Sequence, residues 1–239
     1  MTKKNMNQSP QRSPLLRVRK ALGHVRRSVS IDVFDFFTLA SSSATEIPEP
    51  ILLPDGYSMR FATEADVGQA EVEHTELDER EREEGVVRLG LGHRCISTFF
   101  GSQMVFSMWE NPRNANVPGL VKRRLRADQS FLYKAYTSPE HRGRRLYQAG
   151  LAFALNSIAA EGKSTAVGYA HVKKRASRAG LARVGFGAIG RVRQLVAPRV
   201  RRTWPDRAFN SAFPEAVPRT DAVRKALALS TQEAKITAS

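Results

Sequence analysis

The sequence predicts a mixed α/β domain, a β-sheet with helices packed on it. Three observations point there. Two apolar strands meet at Gly101-Ser102, a hairpin signal. A strand, a Gly-containing basic turn, a helix and another strand follow in that order between Phe131 and Val172. Hydrophobic residues make up 41% of the 239, enough for one core and too few for two full domains.

Residues 1–14 are polar and read as disordered. Leu15, Val18, Leu22, Val25 and Val29 then recur at helical spacing, among Arg17, Arg19, Lys20, Arg26 and Arg27. Three readings of this basic amphipathic segment stay open. It docks on the domain or on the second subunit of a homodimer, it lies on an anionic membrane surface, or it is an Arg-rich, acid-free targeting segment. Residues 41–54 carry three serines, then Pro48, Pro50 and Pro54, and read as a linker. The expected division is therefore a basic extension over 1–50, a folded domain over 51–200 and a tail over 201–239.

Within that domain Tyr57, Met59 and Phe61 alternate as in a strand. Thr63 with Asp66 outlines a capping box for an acidic helical region that runs to Gly85. Arg94–Phe100 and Met104–Trp109 are the hairpin strands, and 111–119, rich in Asn and Pro, is a loop. Phe131–Thr137 is a strand, Arg145–Ala160 a helix ended by Gly162, and Thr165–Val172 a strand. Arg175–Val184 is a helix ended by Gly185, and Phe186–Val196 is mostly strand.

Composition narrows the function classes. With Cys95 as its one cysteine, the chain forms no internal disulfide and no Cys-rich zinc site. Its histidines do not fall at ligand spacings such as HExxH, so no structural metal is expected. No apolar run approaches the roughly 20 residues that span a bilayer. A reducing, bacterial-type cytoplasm is the expected location, with the inner-membrane periphery open through residues 15–29. The net charge of +15 favours a polyanionic ligand, nucleic acid or an anionic membrane surface. Against that trend, Glu64 to Glu84 holds ten acidic residues. This is either a solvated helix face or a site that attracts a cationic amine.

The chemically informative stretch runs from Tyr136 to Tyr147: a strand end, a Pro-Glu turn, a basic Gly-containing loop and a helix start. The first N–H groups of a helix lack intrahelical partners and, with the helix dipole, attract anions. Gly143 lets the backbone approach closely, and Arg142, Arg144 and Arg145 supply charge for phosphate oxygens. The alternative is a solvated basic turn. Neither GxxxxGK[ST] nor GxGxxG is present in it.

Pro139-Glu140-His141-Arg142-Gly143-Arg144 resembles the coenzyme A-binding run Pro-Glu-x-Arg-Gly-x-Gly of the GCN5-related N-acetyltransferases. Ser177-Arg178 with Arg183-Val184-Gly185-Phe186 is similar to that family's second signature, and Met59 to Asp66 to its opening strand and cap. The resemblance covers roughly Gly56 to Val196. It implies a mostly antiparallel central sheet flanked by helices, and transfer of an acyl group from acetyl-CoA or another acyl-CoA to an amine. That acceptor is a small molecule, an amino sugar or a protein amine. Ala135, Thr137, Arg142, Gly143, Arg144, Arg145, Leu146, Tyr147 and Ser177 are the implied coenzyme-binding positions. The sequence departs from the pattern at Arg145, where Gly is usual, at Tyr147, where Gly or Ala is usual, and at Lys174, usually Asn. Leu181 stands where the family often has the tyrosine that serves as acid, so that role is not carried over.

The resemblance implies direct attack of the amine on the thioester, with main-chain N–H groups near Tyr136 and Thr137 facing the developing oxyanion. Glu110 and His171, each at the end of an expected strand, are the candidate bases. Tyr136 and Tyr133 are candidate donors to the sulfur. Two readings compete: a non-catalytic acyl-CoA-binding module on the same scaffold, and a basic membrane-surface or nucleic-acid-binding protein.

Overall fold

The computed structural model describes residues 29–40, 50–71, 79–117, 119–198 and 200–216. Its strands are β1 (Ser30–Ala40), β2 (Tyr57–Phe61), β3 (Arg94–Phe100), β4 (Gln103–Asn111), β5 (Asn114–Val117), β6 (Val121–Arg124), β7 (Gln129–Thr137), β8 (Thr165–His171), β9 (Gly187–Ala197) and β10 (Val200–Pro205). Its helices are α1 (Glu64–Gly68), α2 (Glu79–Gly90), α3 (Leu146–Ala160), α4 (Arg175–Arg183) and α5 (Arg207–Ala212). Eight strands form one sheet in the order β10-β9-β1-β8-β7-β4-β3-β2, and β5 pairs with β6 separately. Neighbours in the sheet are antiparallel except β7 and β8, which are parallel. The mixed, mostly antiparallel sheet that the sequence leads one to expect is present.

The two faces bury different sets. On one, α3 and α4 cover Phe106, Met108, Leu132 and Ala166. The helix Leu146–Ala160 is apolar nearly all round, with eight buried residues. It sits close to the sheet because Gly150 has no side chain: a Cβ there would lie 2.5 Å from the Phe106 ring. On the other face the β5–β6 hairpin and α5 cover Phe36, Phe131 and Val192, with Phe209 and Phe213 sealing the layer. Beside them α1 and α2 enclose Cys95, Phe99, Met104 and Trp109. Burial pushes the Cys95 thiol up to about 12, which leaves it a core side chain and not a nucleophile.

The capping box at Thr63 is as expected. Asp66 N donates to Thr63 Oγ1 at 3.2 Å, and Thr63 N donates to Asp66 Oδ2 at 2.7 Å. Arg60 grips the same carboxylate with both guanidinium nitrogens, at 2.6 and 2.8 Å. That ion pair and the cap hold the Asp66 carboxyl well below the usual carboxylate range.

Three features differ from expectation. The span 1–50 is not all extension, because Ser30–Ala40 is an interior strand between β8 and β9. Its aromatic residues explain why: Phe36 is fully buried and Phe37 nearly so. Its buried Asp35 accepts from Arg191 Nε at 2.6 Å and Arg178 Nη2 at 3.0 Å, tying β1 to β9 and α4. The loop expected over 111–119 contains β5, which pairs with β6. Residues from 200 on are not simply a tail, since β10 extends the sheet and α5 packs on β9. Of the amphipathic helix expected over 15–29, all but Val29 lies outside the described residues.

If β1 is integral to the core, Phe36→Ala costs about 3–5 kcal/mol in urea unfolding. Ile31→Ala, on an exposed position of the same strand, changes stability by about 0.5 kcal/mol or less.

Candidate functional site

The parallel strands β7 and β8 pair over only three positions, Gln129 with Thr165 to Phe131 with Val167. Beyond them the strands separate. On its other edge β7 carries a bulge. Tyr133 pairs with Trp109 and Tyr136 with Ser107, so Lys134 and Ala135 together face Met108. Lys134 takes the unusual φ of +50° there. A bulge bends its strand and leaves a residue out of the ladder, and here the bend carries β7 away from β8.

The gap is a cavity of about 250 Å³ that passes between the strands. Leu132 to Ala135 and Gly168 to His171 form its sides. Tyr147 and Leu151 of α3, with Ser177 and Leu181 of α4, border it on one face, and Phe34 on the other. No carboxylate is among its lining residues, while Lys134 and Lys174 are. Lys134 Nζ is held by Glu81 Oε1 and Oε2 at 2.6 and 2.5 Å, so the acidic helix α2 reaches the cavity rim through an ion pair.

Beyond β7 the chain is fastened to β4 by Ser138 N donating to Val105 O at 2.9 Å. A single 3-10 turn, Pro139–His141, follows. Buried His141 anchors it, with Nδ1 2.7 Å from Tyr57 Oη. Arg142 Nε then donates back to Thr137 O at 3.0 Å. Gly143 has φ +77° with open space where a Cβ would stand, so this position requires conformation, not room. Arg145, the N-cap of α3, is left-handed at φ +60°, ψ +17°, and its side chain does not cap the helix. The first N–H groups of α3 thus have no side-chain cap from Arg145, and Arg142, Arg144 and Arg145 around them are all exposed. The basic loop and the helix start, singled out in the sequence as either an anion site or a solvated basic turn, are thus contiguous here.

The two bulky departures have physical counterparts. The left-handed geometry at Arg145 is the one that glycine adopts without cost, so arginine there carries strain of about 1 kcal/mol. The Tyr147 ring is accommodated by Gly180 of α4, where an added Cβ would lie 2.4 Å from it. Burial pushes the Tyr147 hydroxyl up to about 12.

Of the expected site residues, Ala135, Tyr147, Ser177 and His171 border the cavity. Arg142 to Leu146 form the loop and helix entrance beside it. Thr137 and Tyr136 pair with Phe106 and Ser107 and lie outside the lining. The Tyr136 ring lies 5.8 Å beneath the Arg142 guanidinium. Glu110 also lies outside it. It is fully buried within β4, bound through Oε2 to Arg94 Nη2 at 2.6 Å and Nε at 2.9 Å. It does not end its strand in the cleft, because β4 runs on through Asn111. His171 borders the cavity with both nitrogens engaged. Nδ1 accepts from Lys173 N at 3.1 Å, and Nε2 faces Asp32 Oδ1 at 3.4 Å. A neutral ring in that position has no lone pair left for an amine proton.

Sequence reasoning missed a buried polar chain at the cavity wall. Asn111 Nδ2 is 3.1 Å from His93 Nε2, and His93 Nδ1 is 2.6 Å from Tyr133 Oη. The usable signal was the hairpin: continuing the Arg94–Glu110 pairing by one residue sets His93 opposite Asn111. Burial first, then the charges of Arg88 and Arg113, lower the His93 ionisation from 6.5 to about 4.

No family model and no curated protein matches this sequence. Solved structures do. A Drosophila protein aligns at TM-score 0.52 and 12% identity, over 77% of this chain and 57% of its own. An acetyltransferase of the GNAT family from Colwellia psychrerythraea aligns at TM-score 0.50 and 12% identity, over 77% of this chain and 62% of its own. The chain thus spans less than two thirds of either structure's length. It has the fold of the GCN5-related N-acetyltransferases.

Two outcomes are expected. Between pH 6.5 and 4 the unfolded chain binds a proton at residue 93 that the folded chain refuses. The stabilisation from neutral His93 is therefore complete above about pH 6.5 and falls toward pH 4, by at most about 1.4 kcal/mol per unit. Urea unfolding across that range shows this slope in the native protein and a flatter one in His93→Leu. Arg145→Gly raises the unfolding free energy by up to about 1 kcal/mol, whereas Arg144→Gly lowers it by about 0.5–1 kcal/mol.

Proposed function

We propose that this protein is an acyl-CoA-dependent N-acyltransferase that moves an acetyl or other acyl group to an amine by direct attack. One observation carries the reading: the cavity where β7 and β8 part lies beside the uncapped N-terminus of α3 and its Gly143 loop. A long substrate with a pyrophosphate at one end and a thioester at the other fits that sequence of environments. The pyrophosphate takes the first N–H groups of α3, with Arg142, Arg144 and Arg145 adding charge. The acyl arm enters the gap between the strands.

The oxyanion of the tetrahedral intermediate needs a donor already in position. The bulge takes Lys134 and Ala135 out of the regular ladder with β4. Thr137 N–H points away from β4, since the next amide, Ser138 N, bonds to Val105 O. The backbone N–H groups of this stretch are the donors. Nitrogen attacks the thioester carbon, the C–N bond forms, and the C–S bond breaks with its electron pair on sulfur. Since the His171 lone pair is occupied and Glu110 is buried against Arg94, the amine proton leaves through water at the open side of the cavity. The acceptor is a small molecule, an amino sugar or a protein amine.

Calorimetric titration of acetyl-CoA at moderate salt tests this, with adenosine 3′,5′-bisphosphate and inorganic pyrophosphate as controls against simple polyanion binding. Acetyl-CoA binds more tightly than either control. Gly143→Glu weakens it at least about tenfold, because a side chain at φ +77° is strained and its carboxylate repels phosphate. Equal binding of all three ligands would refute the assignment.

A further inference from the structure

Resting on the acyl-CoA reading, a second inference concerns the leaving sulfur. Leu181 borders the cavity with an alkyl side chain that stabilises no negative charge. Across the cavity stands Tyr133, and the orientation of its hydroxyl is determined by a chain of hydrogen bonds. Asn111 Oδ1 accepts from Arg113 N at 2.9 Å and Asn114 N at 3.0 Å, which fixes the amide so that Nδ2 faces His93. Nδ2 is a donor only, so His93 Nε2 presents its lone pair. The ring, neutral in its buried site, then carries its hydrogen on Nδ1 and donates it to Tyr133 Oη. The tyrosine oxygen is the acceptor in that bond, and its own hydrogen must point elsewhere. Among the described residues no acceptor meets it, and the ring borders the cavity.

We propose that Tyr133 Oη–H donates a hydrogen bond to the thioester sulfur as the C–S bond breaks. The electron pair of that bond goes to sulfur, which departs as a thiolate, and the amine proton goes to water. Tyr133 keeps its proton throughout. Burial raises its ionisation above the ordinary tyrosine value, and a thiol near 8.5 is the far stronger acid. Phe131 stacks on its ring at 5.6 Å, and such apolar surroundings strengthen a bond to charge.

The test needs no amine acceptor. Coenzyme A itself is bound to the full-length protein, with binding followed by calorimetry and thiol ionisation by ultraviolet absorbance of the thiolate. A charge-assisted hydrogen bond corresponds to roughly one to two pK units. The bound thiol in the native protein therefore ionises about one unit lower than in Tyr133→Phe. Asn111→Asp provides a second reading that keeps the ring. Its carboxylate still accepts from the Arg113 and Asn114 amides but also accepts from His93 Nε2–H. The tautomer reverses, Tyr133 donates to Nδ1, and the thiol shift disappears. Coenzyme bound by a folded variant of either kind with the thiol titrating as in the native protein overturns the Tyr133 role and leaves the acyl-CoA reading intact. Failure of the native protein to bind coenzyme A overturns both.

Discussion

The structure turns on how briefly β7 and β8 stay together. Two parallel strands at the centre of a sheet normally share a ladder along their length, buried under helices on both faces. Here the ladder stops after three pairs. The antiparallel partner of β7 enforces the separation, since the bulge at Lys134 and Ala135 bends the strand while β8 stays registered to β1 through His171. An interior strand pair that parts leaves backbone groups and side-chain walls facing a gap. The α3 entrance, the Gly143 turn and the buried polar chain of Asn111, His93 and Tyr133 are all arranged around that opening.

Positions that look unfavourable in isolation are balanced by neighbours. Tyr147 is large where α3 meets α4, and Gly180 makes the room. Arg145 adopts a backbone geometry suited to glycine, in exchange for a third cation beside the helix N-terminus. Lys134, at the bulge, is held by Glu81, so the acidic run on α2 serves partly to neutralise a lysine at the cavity rim. Glu81 and Glu84 also pair with buried Arg88. The acidity of Glu64 to Glu84 is thus partly internal to the fold, not solely a lure for a cationic amine.

Local signals were legible in the sequence wherever backbone chemistry dictates the outcome. The Thr63 cap, the Gly101-Ser102 hairpin, the α3 entrance and the glycines after α3 and α4 all depend on a few adjacent residues. What escaped depends on distant partners. Ser30–Ala40 contains Ile31, Val33, Phe34, Phe36 and Phe37, a strand composition, yet its place between β8 and β9 is set by long-range pairing. Glu110 and His171 were reasonable bases by type. Glu110 is fully buried against Arg94 and outside the cavity lining, and the His171 nitrogens are engaged by Lys173 N and Asp32, so neither presents a free lone pair to the cavity. The order Asn111, His93, Tyr133 spans three strands or their ends, and only the register of β3, β4 and β7 brings it together.

The central claim is that the parting of β7 and β8 is where the thioester binds. Amide chemical-shift mapping by NMR on adding acetyl-CoA tests it most directly. The largest changes should fall on Tyr133 to Thr137, on Arg142 to Tyr147 and on Gly168 to His171, with β10 and the β5–β6 hairpin unaffected. Changes centred instead on the basic residues of β9 and β10, with the strands around the cavity silent, would contradict the account.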